Sequence, residues 1–146
     1  MDYTRMEEDL IRDEGLKLRT YRCTAGVLTV GVGHAVRPED RIAEGDMISL
    51  ERAGRMLASD ISASIRDATS VFGRAVFDSW PDARQRAVVN MLFNLGKSRF
   101  LTFRNTIQAM LDGRWSDAAK GVRSSKYYKQ VGKRAERIAT ALERGK

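Results

Sequence analysis

The 146-residue sequence contains one cysteine, one histidine and two prolines. A lone cysteine excludes an internal disulfide framework and leaves Cys23 as a free thiol whose purpose has to be found. One imidazole, His34, with one thiol and no clustered carboxylates cannot assemble a zinc or calcium centre, so neither metal nor cofactor is expected. No apolar run approaches the roughly 18 residues of a membrane span. A serine hydrolase is disfavoured by the lack of a Gly-x-Ser-x-Gly elbow. Gly31-Val32-Gly33 lacks the third glycine and the following helix of a phosphate cradle. The opening run from Met1 to Asp9 is acidic where an export leader is basic and then apolar, so synthesis in a cytoplasm without a cleaved signal is expected.

What is present fits one globular domain with its own core, 42% hydrophobic and 31% charged. Charge is unevenly placed. Between Lys120 and Lys146 stand nine basic residues against Glu136 and Glu143, which accounts for the whole net charge of +7. A basic end on a neutral body suits a polyanionic partner: nucleic acid, an anionic membrane surface or an acidic cell-wall polymer. A solvated face kept soluble by lysines is the plainer alternative.

Along the chain, Thr4-Arg5-Met6-Glu7 fits a capping box, Met6, Leu10 and Ile11 follow at helical spacing, and Gly15 supplies a stop, predicting a first helix over residues 4–14. Glu14 then occupies the last turn, where the partial negative charge of the helix end favours a cation over a carboxylate. The pattern changes to alternation through Leu16-Lys17-Leu18-Arg19. A turn at Thr24-Ala25-Gly26 leads into the β-branched run from Val27 to His34, predicting a small hairpin sheet. From Ser49 helices take over. Leu50, Ala53, Leu57, Ile61 and Ile65 line one face of a long helix. A buried central helix starts at Ser79-Trp80-Pro81-Asp82, with Ala83, Ala87, Val88, Met91, Leu92 and Leu95 inside and Gly96 at its end. Shorter helices are expected over 106–111, 116–122 and 133–142. The fold class is α+β: a β-containing lobe over about 15–48, a helical lobe over 49–146 joined by the first helix, and a cleft between them.

The run from Asp13 to His34 resembles the active-site segment of the T-even-type phage lysozymes, glycoside hydrolase family 24. That family spaces a Glu, eight residues, Asp or Cys, five residues and a Thr, and Glu14, Cys23 and Thr29 reproduce it, followed by Gly31-Val32-Gly33-His34. Asn90-Met91-Leu92-Phe93-Asn94-Leu95-Gly96, Phe103-Arg104-Asn105-Thr106, Arg114-Trp115-Ser116-Asp117-Ala118-Ala119, Tyr127-Tyr128 and the stretch from Lys133 to Ile138 extend the likeness over nearly the whole chain.

The resemblance implies a lysozyme-like fold and a phage-type endolysin that cleaves the β-1,4 bond between N-acetylmuramic acid and N-acetylglucosamine. Such cleavage needs a protonated acid at the leaving oxygen and a second group that activates water or stabilises positive charge on the sugar. Glu14 is the implied acid, supported by an ion pair with Arg134. Cys23 stands where many relatives carry a carboxylate. Ionised with help from Arg19 and Arg22, it is base or nucleophile, with Thr29 orienting a water. Gly33 admits the close approach of sugar or backbone, and His34 either orients substrate or is a satisfied structural histidine. Phe93 and Thr106 match substrate-cleft positions, while Gly121 replaces a polar residue of the cleft. The implied partners are peptidoglycan and, through the basic C-terminal helix, an anionic outer-membrane surface. Nucleic acid is not expected, and the chain is expected to be a monomer. An enzyme made in the host cytoplasm would reach the wall in the periplasm after holin-type release or delivery. Two other readings stay open on the sequence: a lytic transglycosylase, which needs a single acid, and a non-catalytic basic module that binds cell wall or nucleic acid.

Overall fold

A computed structural model describes residues 1–146. The chain is mostly helical with one small antiparallel sheet, the α+β class expected, and divides into two compact units: Tyr3–Ser62, and Met1–Asp2 with Ala63–Lys146.

The smaller unit opens with α1 (Tyr3–Glu14), which buries Met6 and Leu10 completely. Burying each of these side chains stabilises the unit by about 1.5–3 kcal/mol. Because α1 begins at Tyr3, Thr4 lies inside the first turn and is not its cap. Gly15 ends the helix with φ +78° while its N–H returns to the Ile11 carbonyl, the left-handed stop for which glycine is favoured. Ile11, expected inside, is 41% exposed.

Strands β1 (Lys17–Arg22), β2 (Leu28–Gly31) and β3 (His34–Ala35) follow in spatial order β1-β2-β3. In this sheet Tyr21 opposes Thr29, and Thr29 opposes Ala35. The expected turn is present, closed by the Gly26 N–H on the Cys23 carbonyl at 2.8 Å and the Cys23 N–H on the Val27 carbonyl at 3.0 Å. Residues 46–48 add a short pairing to the free side of β1. A 3-10 turn at Pro38–Asp40 precedes α2 (Leu50–Phe72). Ala53 packs with Val30 and Ile48 in the core beneath the sheet. Leu50, predicted on the inner face of α2, is 60% exposed because it sits at the helix's first residue.

The larger unit is built around α4 (Asp82–Leu95), where Ala83, Ala87, Val88, Met91, Leu92 and Leu95 are all buried as expected. Its polar Gln85 and Asn90 are buried too. Gln85 donates to the Phe77 carbonyl at 2.8 Å, and Asn90 accepts from Arg134. Around it lie α3 (Arg74–Ser79), α5 (Lys97–Phe100), α6 (Arg104–Leu111), α7 (Trp115–Arg123), α8 (Lys126–Val131) and α9 (Lys133–Arg144). The short α3, α5 and α8 were not legible in the sequence. Each spans six residues or fewer, too short to display a hydrophobic period. Phe72, Phe77, Phe100, Trp80 and Trp115 meet edge to face, the arrangement aromatic quadrupoles favour. Arg84 stacks 4.4 Å from the Trp115 ring and donates to the Leu142 and Glu143 carbonyls at the end of α9, placing a cation where the helix dipole favours one.

Candidate active site

Glu14 is the last residue of α1, and its carboxyl lies against the turn between β2 and β3. A Cβ on Gly33 would stand 2.7 Å from the Glu14 Cδ and 2.8 Å from Oε1. Gly33 also has φ +60°. Both the backbone angle and the contact require glycine here. What lies close to Gly33 is the Glu14 side chain.

Cys23 follows β1 directly and is half-exposed. Its thiol is held below the usual cysteine range chiefly by the Val27 N–H, then by that of Ala25, against a smaller opposing effect of burial. Arg19 and Arg22 do not supply this support. Arg19 turns to the Gly45 carbonyl and the Met47 sulfur, and Arg22 to the Gly26 carbonyl and Glu44. The turn's own amides take the place of the expected cations because they converge on the sulfur from within the hairpin. Thr29, buried on β2, also reaches the thiol. Its one hydroxyl proton is donated to the Val27 carbonyl at 2.8 Å, which leaves the backbone N–H groups as the steadier donors to sulfur.

Tyr21 faces Thr29 across the sheet and was missed in the sequence reading. Its phenol is pushed up first by burial, then by the negative charges of Glu14 and Cys23. It stands in the field of both candidate catalytic groups. The register, which sets Tyr21 opposite Thr29, is the signal that could have found it.

His34 opens β3 and is buried. Its Nδ1 lies 2.6 Å from Asp60 Oδ2 and its Nε2 2.8 Å from Asp40 Oδ2. With both ring nitrogens engaged inside the protein, none is left to orient a sugar. The Asp60 hydrogen bond raises the His34 pKa most; burial opposes it and Asp40 adds to it. For Asp40, burial pushes upward but is outweighed by His34 and by the Arg37 N–H, which leaves the carboxyl below its usual range. Neither aspartate was singled out from sequence, because their partnership with His34 is made only by the fold.

The remaining predicted residues belong to the larger unit. Phe93 is half-buried on α4. Thr106, buried on α6, points its hydroxyl at Gly121 of α7, where a Cβ would run into it. The two help line a cavity of about 330 Å³ with Asn105, Gln108, Arg114 and Asp117. Arg134 is buried on α9, and its Nε donates to Asn90 Oδ1 at 2.9 Å. At the basic end, the apolar face of α9 (Ala135, Ile138, Ala139 and Leu142) is packed inside, so what is left for an anionic surface is charge.

Comparison with known proteins connects this geometry to a family. Residues 12–144 match the family model described as phage lysozyme. The pre-baseplate central spike protein Gp5 of Enterobacteria phage T4 is 31% identical over 159 residues, covering 96% of this chain but 28% of the spike protein. A probable T4-type lysozyme of Dictyostelium discoideum is 24% identical, with 94% of each chain covered. The endolysin of Salmonella phage P22 is 32% identical over 92 residues, 62% of this chain and 60% of that protein. With the family's model spanning nearly the whole sequence and the acid, thiol and threonine gathered in one helix-hairpin unit, the chain belongs to the phage lysozyme family, glycoside hydrolases of the lysozyme type that act on the bacterial cell wall.

Proposed function

We propose that this chain is a phage-type endolysin, a muramidase that hydrolyses the β-1,4 bond between N-acetylmuramic acid and N-acetylglucosamine of peptidoglycan. Glu14 is the general acid that protonates the leaving oxygen. The Cys23 thiolate, with Thr29 beside it, activates the attacking water or stabilises the charge that develops on the sugar. The observation that carries this reading is the seating of the Glu14 carboxyl on Gly33, in the same unit as a thiol whose ionised form the hairpin amides support. No step calls for a cofactor. The enzyme reaches the wall from the cytoplasm by a separate holin-type release or by delivery. The exposed Lys126, Lys129 and Lys133 draw it by long-range attraction to the anionic envelope.

Digestion of purified peptidoglycan by the parent and by Glu14→Gln tests the assignment. New reducing ends from the parent, falling by about a hundredfold or more in the variant, are expected. Anhydro-sugar products in place of reducing ends would make the chain a lytic transglycosylase, and a folded parent that cuts nothing would leave a binding module.

A further inference from the structure

His34 has no place in the chemistry above, yet it is buried in the unit that holds Glu14 with both ring nitrogens engaged. Each ring nitrogen faces a carboxylate oxygen, Asp60 Oδ2 at 2.6 Å and Asp40 Oδ2 at 2.8 Å. A neutral imidazole has one N–H and one lone pair, and the lone pair would then point at a carboxylate oxygen. The two short contacts together are those of an imidazolium donating twice.

The two aspartates come from different elements. Asp60 is on α2; Asp40 closes the 3-10 turn at Pro38–Asp40, and its Oδ2 also accepts the Arg37 N–H at 2.8 Å. Arg52 of α2 donates to the Asp40 carbonyl at 2.6 Å. Asp40 and Asp60 are thus the charged groups that face the ring, while Arg37 through its backbone N–H and Arg52 through the Asp40 carbonyl hold Asp40 in place. His34 follows Gly33 directly, and Gly33 is the surface on which the Glu14 carboxyl rests. On the other side of the same turn, Gly31 lies against Ala53 of α2. The seat of the acid is therefore held by the sheet on one side and by the His34 brace on the other.

We propose that His34 is a positioning residue for glycosidic cleavage: bridging Asp40 and Asp60, the imidazolium fixes the Gly33 turn and with it the Glu14 carboxyl. The proposal rests on Glu14 being the acid. Loss of the His34 proton breaks one of the two bonds and lets the turn shift away from α2 or from the 3-10 turn. The acid then loses the wall that holds it in line with the leaving oxygen, a displacement that costs turnover and leaves substrate affinity in place.

The experiment compares the parent with His34→Gln, Asp40→Asn and Glu14→Gln on solubilised peptidoglycan strands, at a temperature where circular dichroism shows every variant folded. His34→Gln should lower kcat by about tenfold or more with KM within about twofold of the parent. Asp40→Asn keeps the Asp60 bond but removes a group that favours the proton. The alkaline limb of its kcat profile should therefore move to lower pH. A folded His34→Gln with the parent's kcat, or a loss confined to KM, would overturn the proposal. So would an alkaline limb unmoved in Asp40→Asn, which also decides the matter if His34→Gln does not fold. Activity retained by Glu14→Gln would instead show the underlying assignment of the acid to be wrong.

Discussion

The Glu14 carboxyl rests on the Cα of Gly33, so close that a methyl group there would stand 2.8 Å from its oxygen. A helix end and a β-turn, 19 residues apart in the sequence, thereby define one position in space. Replacing Gly33 with alanine adds a clash to an unfavourable backbone angle. Gly33→Ala should destabilise the fold by about 1–2 kcal/mol and reduce peptidoglycan cleavage by about a hundredfold, the effect of displacing a catalytic group by an ångström. Urea unfolding and a reducing-end assay measure the two effects, and parent-like activity would mean that the acid does not need its seat.

Cys23 offers a direct test of what a thiol does at the position assigned to the second catalytic group. The hairpin amides favour its ionised form, and a serine hydroxyl does not ionise in the working range. Cys23→Ser should lose about a hundredfold in kcat, the scale of a lost general base, whereas Cys23→Asp should keep much of the activity. The acid limb of the pH profile should also move lower in Cys23→Asp, since a carboxylate titrates near 4. Equal activity of Cys23→Ser and the parent would remove the thiol from the mechanism.

The His34 brace has a stability signature with a definite sign. An unfolded histidine titrates near 6.5, and the folded one keeps its proton to higher pH. Across that interval the native state binds more protons than the unfolded state, so stability is full below about 6.5 and falls as pH rises through the native value. On the acid side Asp40, with its pKa lowered, contributes stability above 3.8 that is lost as pH falls through its native value. Urea midpoints collected from pH 6 upward should decline in the parent and stay flatter in His34→Gln. Equal slopes would mean that the imidazolium is not held as described.

Gly121 and Thr106 should behave as a pair. Alanine in a helix is worth about 0.5–1 kcal/mol over glycine, but at Gly121 the new methyl meets the Thr106 hydroxyl. Gly121→Ala should therefore gain less than that amount, or lose stability, while the same change beside Thr106→Ala should recover the gain. A double-mutant cycle in urea should show coupling of at least about 0.5 kcal/mol. Additivity would show that Thr106 turns aside without cost.

Most of the helical body was legible because its apolar residues recur at steps of three and four; the inward positions of α4 could be named one by one. The hairpin turn and the stop at Gly15 were legible from turn chemistry and glycine. What escaped were features made by contacts distant in sequence. Asp60 is 26 residues from His34, and no local pattern marks it as a partner. Arg19 and Arg22 were natural candidates to support Cys23 on sequence proximity, yet the strand directs them to Gly45 and Glu44 while the turn presents its own N–H groups to the sulfur. Glu14 stood out for the opposite reason: a carboxylate at a helix C-terminus is a local misfit, and that kind of signal a single sequence can display.

The single thiol has a practical consequence. Because Cys23 is the one cysteine in the chain and is half-exposed, an alkylating reagent has one place to react, beside the residues assigned to the chemistry. Under the proposed mechanism, labelling becomes an active-site titration: the fraction of protein modified equals the fraction of enzyme silenced, and a bound glycan that covers the hairpin slows both together.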